Sequence, residues 1–173
     1  RATLALIKKV VLSLKKPMVI DADAPRMFYG NIQLFSRIKA PFVITPHCGE
    51  LSKILNMERK NLEVDFPETS SKLSQKISGT LVAKNAPTIT LQKKNGVINS
   101  SGNSGLATGG TGDVLSGLIG GLMTQGMDPF FASQVGVFLH GKAADIVSGK
   151  TGKRGMIASD LLDAIPEAMA MYE

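Results

Sequence analysis

Gly102-Asn-Ser-Gly-Leu-Ala-Thr-Gly-Gly-Thr-Gly-Asp-Val-Leu-Ser-Gly117 is the stretch that decides the fold. After its glycines, Val114, Leu115, Leu118, Ile119 and Leu122 fall on one side of a helix. Residues 109–112 therefore form a loop feeding a helix amino end. Such an end carries unpaired N–H groups and the positive pole of the helix dipole, and it favours anions. Glycines let the backbone approach the anion with no Cβ in the way. Asp113 is the odd residue. A carboxylate in a phosphate cradle repels phosphate, unless its task is to take a proton from the group that attacks that phosphate. Taken alone, the stretch also reads as a glycine-rich turn capped by Thr111 or Asp113. No Gly-Lys-Ser/Thr follows the glycines, so it is not a Walker loop, and no strand runs directly into a Gly-x-Gly-x-x-Gly turn.

Upstream, short apolar runs alternate with helical patterns. Leu4, Ile7, Val11 and Leu14 predict a helix over 3–15, stopped by Pro17. Residues 18–20 and 42–44 are fully apolar, as strands of a buried parallel sheet are. The first ends in Asp21-Ala22-Asp23-Ala24, where Asp23 is either a helix cap or a binding carboxylate. The second runs into Thr45-Pro46-His47-Cys48-Gly49-Glu50, with His47 and Glu50 on one face of a first helical turn. A helix is expected over 32–38 and over 67–78, with 56–66 polar and irregular. Residues 80–83 read as a strand ending at Lys84, a solvated strand end or a phosphate contact. Residues 88–91 read as a strand, Lys94-Asn95-Gly96 as a hairpin turn, and 97–98 as the return.

Downstream, helices are expected over 113–124, over 129–148 and from 160 to the end, with Ser159 as cap and Pro166 kinking or dividing the last. Gly117, Gly120 and Gly121 on the first of these suggest close packing against a neighbour. His140 reads as a packed, hydrogen-bonded helix histidine. Strands alternating with helices give an α/β sheet covered on both faces.

The chain has 173 residues, enough for one domain with a real core. Hydrophobic residues make up 43% and charged residues 20%, but Lys, Ser or Gly interrupts every long apolar run, so no membrane span is expected. The single cysteine, Cys48, excludes an internal disulfide and suits a reducing, cytoplasmic compartment. The net charge of +6 would help attract a polyphosphate. Nucleic-acid binding is not expected, because no aromatic residues interleave with the scattered lysines.

Val19-Ile-Asp-Ala-Asp-Ala24, Ile44-Thr-Pro-His-Cys-Gly-Glu50, Leu81-Val-Ala-Lys84, Gly102-Asn103 with Gly109-Gly-Thr-Gly-Asp113, and Leu139-His-Gly141 stand in a fixed order. Together they resemble the ADP/ATP-dependent NAD(P)H-hydrate dehydratases, the carbohydrate-kinase-like domain of the ribokinase-like superfamily. The resemblance implies a three-layer α/β/α domain over 1–173 with a mostly parallel sheet and a C-terminal β-hairpin. It also implies a chain short of the family's N-terminal portion, which contributes to the substrate site. The implied activity is that of a lyase in metabolite repair. Hydrated NADH or NADPH is returned to NAD(P)H at the expense of ADP or ATP with Mg²⁺, through phosphorylation of the ring hydroxyl and elimination of phosphate. By the same resemblance Asp113 is the base and, with His47, contacts substrate. Lys84, Asn85, Ala86, Pro87, Thr88, Asn103, Gly109, Gly110, Thr111 and Gly112 hold the nucleotide, with Asn85 standing where the family has glycine. Glu50 helps organise Mg²⁺, through water. A homo-oligomer is implied. The alternative is a ribokinase-like kinase for a small alcohol such as a vitamin precursor, in which Asn is more usual at the His47 position.

Overall fold

The computed structural model describes residues 2–173. The short apolar runs become parallel strands β1 (Met18–Ile20), β2 (Phe42–Ile44) and β3 (Thr80–Ala83). Val19 pairs with Val43, and Ile44 with Leu81. β2 and β3 are buried along their whole length, as strands covered on both faces must be. β4 (Ile89–Gln92) and β5 (Asn95–Ile98) complete a five-stranded sheet in the order β1-β2-β3-β4-β5. Their pairings are antiparallel, so β4 alone runs against the other four strands and the sheet is mixed but mostly parallel. The hairpin ends the sheet but lies mid-chain, followed by helices.

Alternation along the strands sends Ile20, Phe42, Ile44 and Leu81 to one face, and Val43 and Val82 to the other. The first face is covered by α1 (Ala2–Ser13), α2 (Cys48–Ile54), α3 (Arg59–Val64) and α4 (Phe66–Lys76), through Val11, Leu51, Ile54, Leu62 and Leu73. Phe28 and Phe35 stack there at 3.8 Å, and Phe42 continues the stack. The second face meets Leu115 and Ile119 of α5 (Thr111–Thr124) and Val137 of α6 (Pro129–Thr151). α7 (Ala158–Ala170) packs on α6 through Leu161, Ala164 and Ala168. Burying each such Leu, Ile or Phe contributes roughly 2 kcal/mol. The layers are α/β/α, as expected.

Several local expectations are corrected. α1 buries only Val11 of its supposed inward set, and Leu4 and Leu14 are exposed. Residues 32–38 hold a 3-10 turn, Ile32–Arg37, and a second one, Ala24–Phe28, opens on Pro25. The stretch 56–66 contains α3, whose single buried residue, Leu62, leaves no periodic trace in sequence. The hairpin turns at Lys93-Lys94, because Gln92 pairs with Asn95 and places Gly96 inside β5. Lys93 accepts a positive φ of 56° there, anchored to the α4 region by its ammonium on the Ile77 carbonyl and by Ser74 donating to its own carbonyl. Gly117 and Gly121 face open space, and a Cβ on Gly120 would lie no closer than 3.9 Å to Val19. The close helix approach is made instead by Gly136 of α6, where a Cβ would lie 2.8 Å from Ile119. Asp160, not Ser159, caps α7 by accepting the Ile157 N–H at 2.9 Å. Pro166 lies inside α7 without dividing it. Among the described residues, no helix is long and apolar enough to cross a membrane.

Candidate active site

The glycine loop meets α5 at Gly110, which has φ +89°. That left-handed conformation favours glycine, and it aims the chain into the helix. No side chain caps α5, so neither Thr111 nor Asp113 has the cap role open to it in sequence. The Thr111 hydroxyl turns inward, between the carbonyls of Leu106 (2.7 Å) and Thr108 (2.8 Å). Among the described residues, the N–H groups of Gly109, Gly110 and Gly112 meet no acceptor. Asp113 is exposed in the first turn, and no described side chain pairs with its carboxylate. The arrangement presents the positive end of a helix, which favours anions, beside an unpaired acid.

α6 is the bed for this loop. The His140 ring, buried and neutral, donates Nε2–H to the Thr111 carbonyl at 2.9 Å. Burial pushes that imidazole down to about 4, against the pull of the Thr111 carbonyl and with the help of nearby Lys84. The Ser101 hydroxyl donates to the Phe138 carbonyl at 2.8 Å. Asp145 accepts from the Gly102 N–H and from the Asn103 side-chain amide, both at 3.0 Å. Asn103 also accepts the Gly105 N–H, so its side chain is engaged at both ends within the protein.

The carboxyl ends of β1, β2 and β3 converge on the same place. The Lys84 N–H donates to the Pro46 carbonyl at 2.9 Å, and His47 and Lys84 form a parallel bridge beyond the strands. Lys84 Nζ lies 3.0 Å from Asp21 Oδ1, and Ser116 Oγ donates to Asp21 Oδ2 at 2.6 Å. A Cβ on Gly112 would stand 3.3 Å from Lys84 Nζ and 3.8 Å from Asp21 Oδ2, so all four residues adjoin. Burial pushes the Asp21 carboxyl up. The Ser116 hydroxyl, the Lys84 ammonium, nearby Thr45 and the Ala22 N–H outweigh it and hold the group below the usual carboxylate value.

His47 and Glu50 form a capping box on α2. His47 Nδ1 accepts the N–H groups of Gly49 (3.0 Å) and Glu50 (3.3 Å), and Glu50 accepts the His47 N–H at 2.9 Å. The proton of the neutral ring is thus on Nε2. No cluster of three or more acidic, His or Cys side chains suits a metal among the described residues. Glu50 spends one carboxylate oxygen on the cap and retains the other. One carboxylate completed by phosphate oxygens and water is a donor set that Mg²⁺ takes, so the residues fit that ion. In the following segment Asn85, Ala86 and Pro87 are exposed, and the Thr88 hydroxyl donates to the Asn85 carbonyl at 3.1 Å. Asn85 is not among the positive-φ residues, so replacing glycine there carries no backbone strain.

The structure thus sets Lys84 beside Gly112, with His47 bridged to Lys84 and Glu50 joined to His47 in the α2 cap, and turns the Asn103 side chain toward α6. Sequence reasoning left Asp21, Ser116 and Asp145 without roles. Asp21 had a signal as a carboxylate ending a buried strand. Ser116 lies one helical turn after Gly112. Asp145 carried no signal at all.

A five-stranded sheet between helical layers, with the open amino end of α5 beside Lys84 at the end of β3, defines a ribokinase-like domain. The fold is shared with a ribokinase-like superfamily protein of Enterococcus faecalis, at a TM-score of 0.68 and 24% identity, over 97% of this chain and 67% of that one. The chain belongs to the NAD(P)H-hydrate dehydratase family, whose profile matches residues 2–167. It is 36% identical over 173 residues to a bifunctional NAD(P)H-hydrate repair enzyme of Moorella thermoacetica, covering 99% of this chain and 33% of that protein. It also matches the ADP/ATP-dependent NAD(P)H-hydrate dehydratase of Bacillus subtilis crystallised with ATP/Mg²⁺. There the TM-score is 0.84 and the identity 27%, over 95% of this chain and 58% of that one. The chain therefore spans about a third of the first of these relatives and somewhat over half of the second.

Proposed function

We propose that this protein dehydrates hydrated NADH and NADPH, using ADP or ATP as phosphoryl donor. The observation that carries the proposal is the uncapped amino end of α5, open beside the exposed Asp113. The N–H groups of Gly109, Gly110 and Gly112 hold the terminal phosphate of the nucleotide. Lys84 adds a point charge, and the 85–88 segment borders the rest of the nucleotide. Asn103 supports the loop from beneath. His47 meets the hydrated nicotinamide through Nε2, the ring nitrogen that the cap does not use and that lies 3.6 Å from Glu50 Oε2. Asp113 takes the proton of the ring hydroxyl, whose oxygen attacks the terminal phosphorus as the bond to the leaving nucleotide breaks. Phosphate then leaves with the ring C–O bond pair, and a proton is lost from the neighbouring carbon. Glu50 would hold Mg²⁺ together with the nucleotide, and the ion would draw charge from the transferring group. A small-molecule kinase would use the same Asp113 and glycine loop. The His at position 47 and the family match favour the dehydratase.

The buried free thiol of Cys48 fits a cytoplasmic setting. Exposed Ile98, Phe131 and Tyr172 fit a homo-oligomer. The deciding experiment incubates the purified protein with hydrated NADH and Mg²⁺, with ADP or ATP in turn, and follows the near-ultraviolet absorbance of the reduced nicotinamide. Absorbance returning only with nucleotide is the expected result. No return with either nucleotide, or a stable phosphorylated alcohol as product, overturns the proposal.

A further inference from the structure

Asp21 takes no part in the reaction just described, yet its carboxylate ties three elements together at the site. From the end of β1 it holds Lys84 at the end of β3 (3.0 Å) and Ser116 of α5 (2.6 Å). Its side chain is 11% exposed and that of Lys84 22%, so the pair is partly shielded from water. Ala22, directly after it, has φ +55°, a left-handed conformation that costs an L-residue about 1 kcal/mol and persists where the surroundings over-determine it.

A carboxylate beside a phosphate cradle weakens the grip on the nucleotide. Binding alone does not explain its presence, but confinement does. A lysine has four rotatable side-chain bonds and, left free, follows whichever phosphate oxygen is nearest. Held by Asp21, the ammonium stays beside Gly112, where a Cβ would be 3.3 Å away. Only interactions stronger in the transition state than in the ground state raise turnover.

We propose that Asp21 is a positioning residue that pins the Lys84 ammonium beside the Gly112 amide, lowering nucleotide affinity while raising turnover. This rests on the dehydratase reading above.

The test is a double-variant cycle on the purified protein, read by ADP calorimetry with Mg²⁺ and by dehydration turnover. Asp21→Asn keeps the shape and an acceptor for Ser116 but removes the charge. It should bind ADP about three- to tenfold more tightly and lose at least about tenfold in kcat. A loss of folded protein lowers both readouts and cannot produce that split. In a Lys84→Met background the same Asp21→Asn change should alter kcat by less than about twofold, because Asp21 acts on turnover through Lys84. Ser116→Ala should show the same split at smaller size, and it carries the test if Asp21→Asn does not fold. Equal kcat effects in both backgrounds, or an unchanged kcat in Asp21→Asn, overturn the inference while leaving the dehydratase reading intact. A wild-type protein that binds ADP without dehydrating overturns that reading, and the ADP affinity of Asp21→Asn then decides the charge effect by itself.

Discussion

His140 on α6 donates its Nε2–H to the carbonyl of Thr111, 2.9 Å away in the first turn of α5. The bond fixes the helix end that carries the open amides, and it requires a neutral, buried ring. Burial lowers the folded-state value to about 4 from an ordinary 6.5. Between those values the unfolded chain binds the proton and the folded chain does not. Stability is therefore fully present above about pH 6.5 and falls as pH drops toward 4. The expected loss is on the order of 3 kcal/mol, from about 1.4 kcal/mol per pKa unit. Denaturant unfolding across this window measures it, and His140→Gln should flatten that part of the profile.

Gly141 and Gly117 make opposite predictions from the same substitution. A Cβ on Gly141 would come within 2.7 Å of the Ser101 backbone carbon and closer still to its hydroxyl. Backbone cannot swing aside as a side chain can, so Gly141→Ala should destabilise by about 3 kcal/mol. Gly117 faces open space in the interior of α5. Gly117→Ala should stabilise by about 0.5–1 kcal/mol through helix propensity. Thermal melts of the two variants should move in opposite directions, and a shared direction would discount both contacts.

Asp113→Asn should retain ADP binding and lose several orders of magnitude in turnover, because the amide keeps the size of the acid and cannot take a proton. The side chain is exposed, so the melting temperature should stay within a few degrees. Steady-state kinetics and ADP calorimetry on one preparation check both halves. Near-wild-type turnover would remove Asp113 from the base role.

What could be read from sequence was what local chemistry governs. The runs at 42–44 and 80–83 are strands buried on both faces, and that burial is written in their largely apolar composition; 18–20 pairs beside them as a part-buried edge strand. The glycine loop and the first turn of α5 were legible for the same reason. What tertiary partners decide was not. The hairpin turn moved to Lys93 because α4 anchors it, although Asn95-Gly96 is the stronger local signal. The Asp21–Ser116 contact joins residues 95 positions apart, and no spacing rule reaches that far. The α5 glycines suggested a tight helix contact, and the structure makes that contact from the other partner, at Gly136.

Gly112 separates phosphate access from fold stability. A methyl added there would meet only the flexible end of Lys84, at 3.3 Å, with Asp21 Oδ2 at 3.8 Å. Alanine is also the better helix former in the first turn of α5. Gly112→Ala should therefore melt within a few degrees of the wild type. It should nevertheless weaken ADP about tenfold or more, because the methyl stands where a phosphate oxygen must approach the amide and pushes the ammonium aside. Calorimetric titration with ADP and Mg²⁺ reads the affinity, and the melt of the free protein reads the fold. Unchanged ADP affinity would mean that the phosphate docks elsewhere than the amino end of α5. A large loss of stability would mean that the Asp21–Lys84 pair cannot shift to admit the methyl.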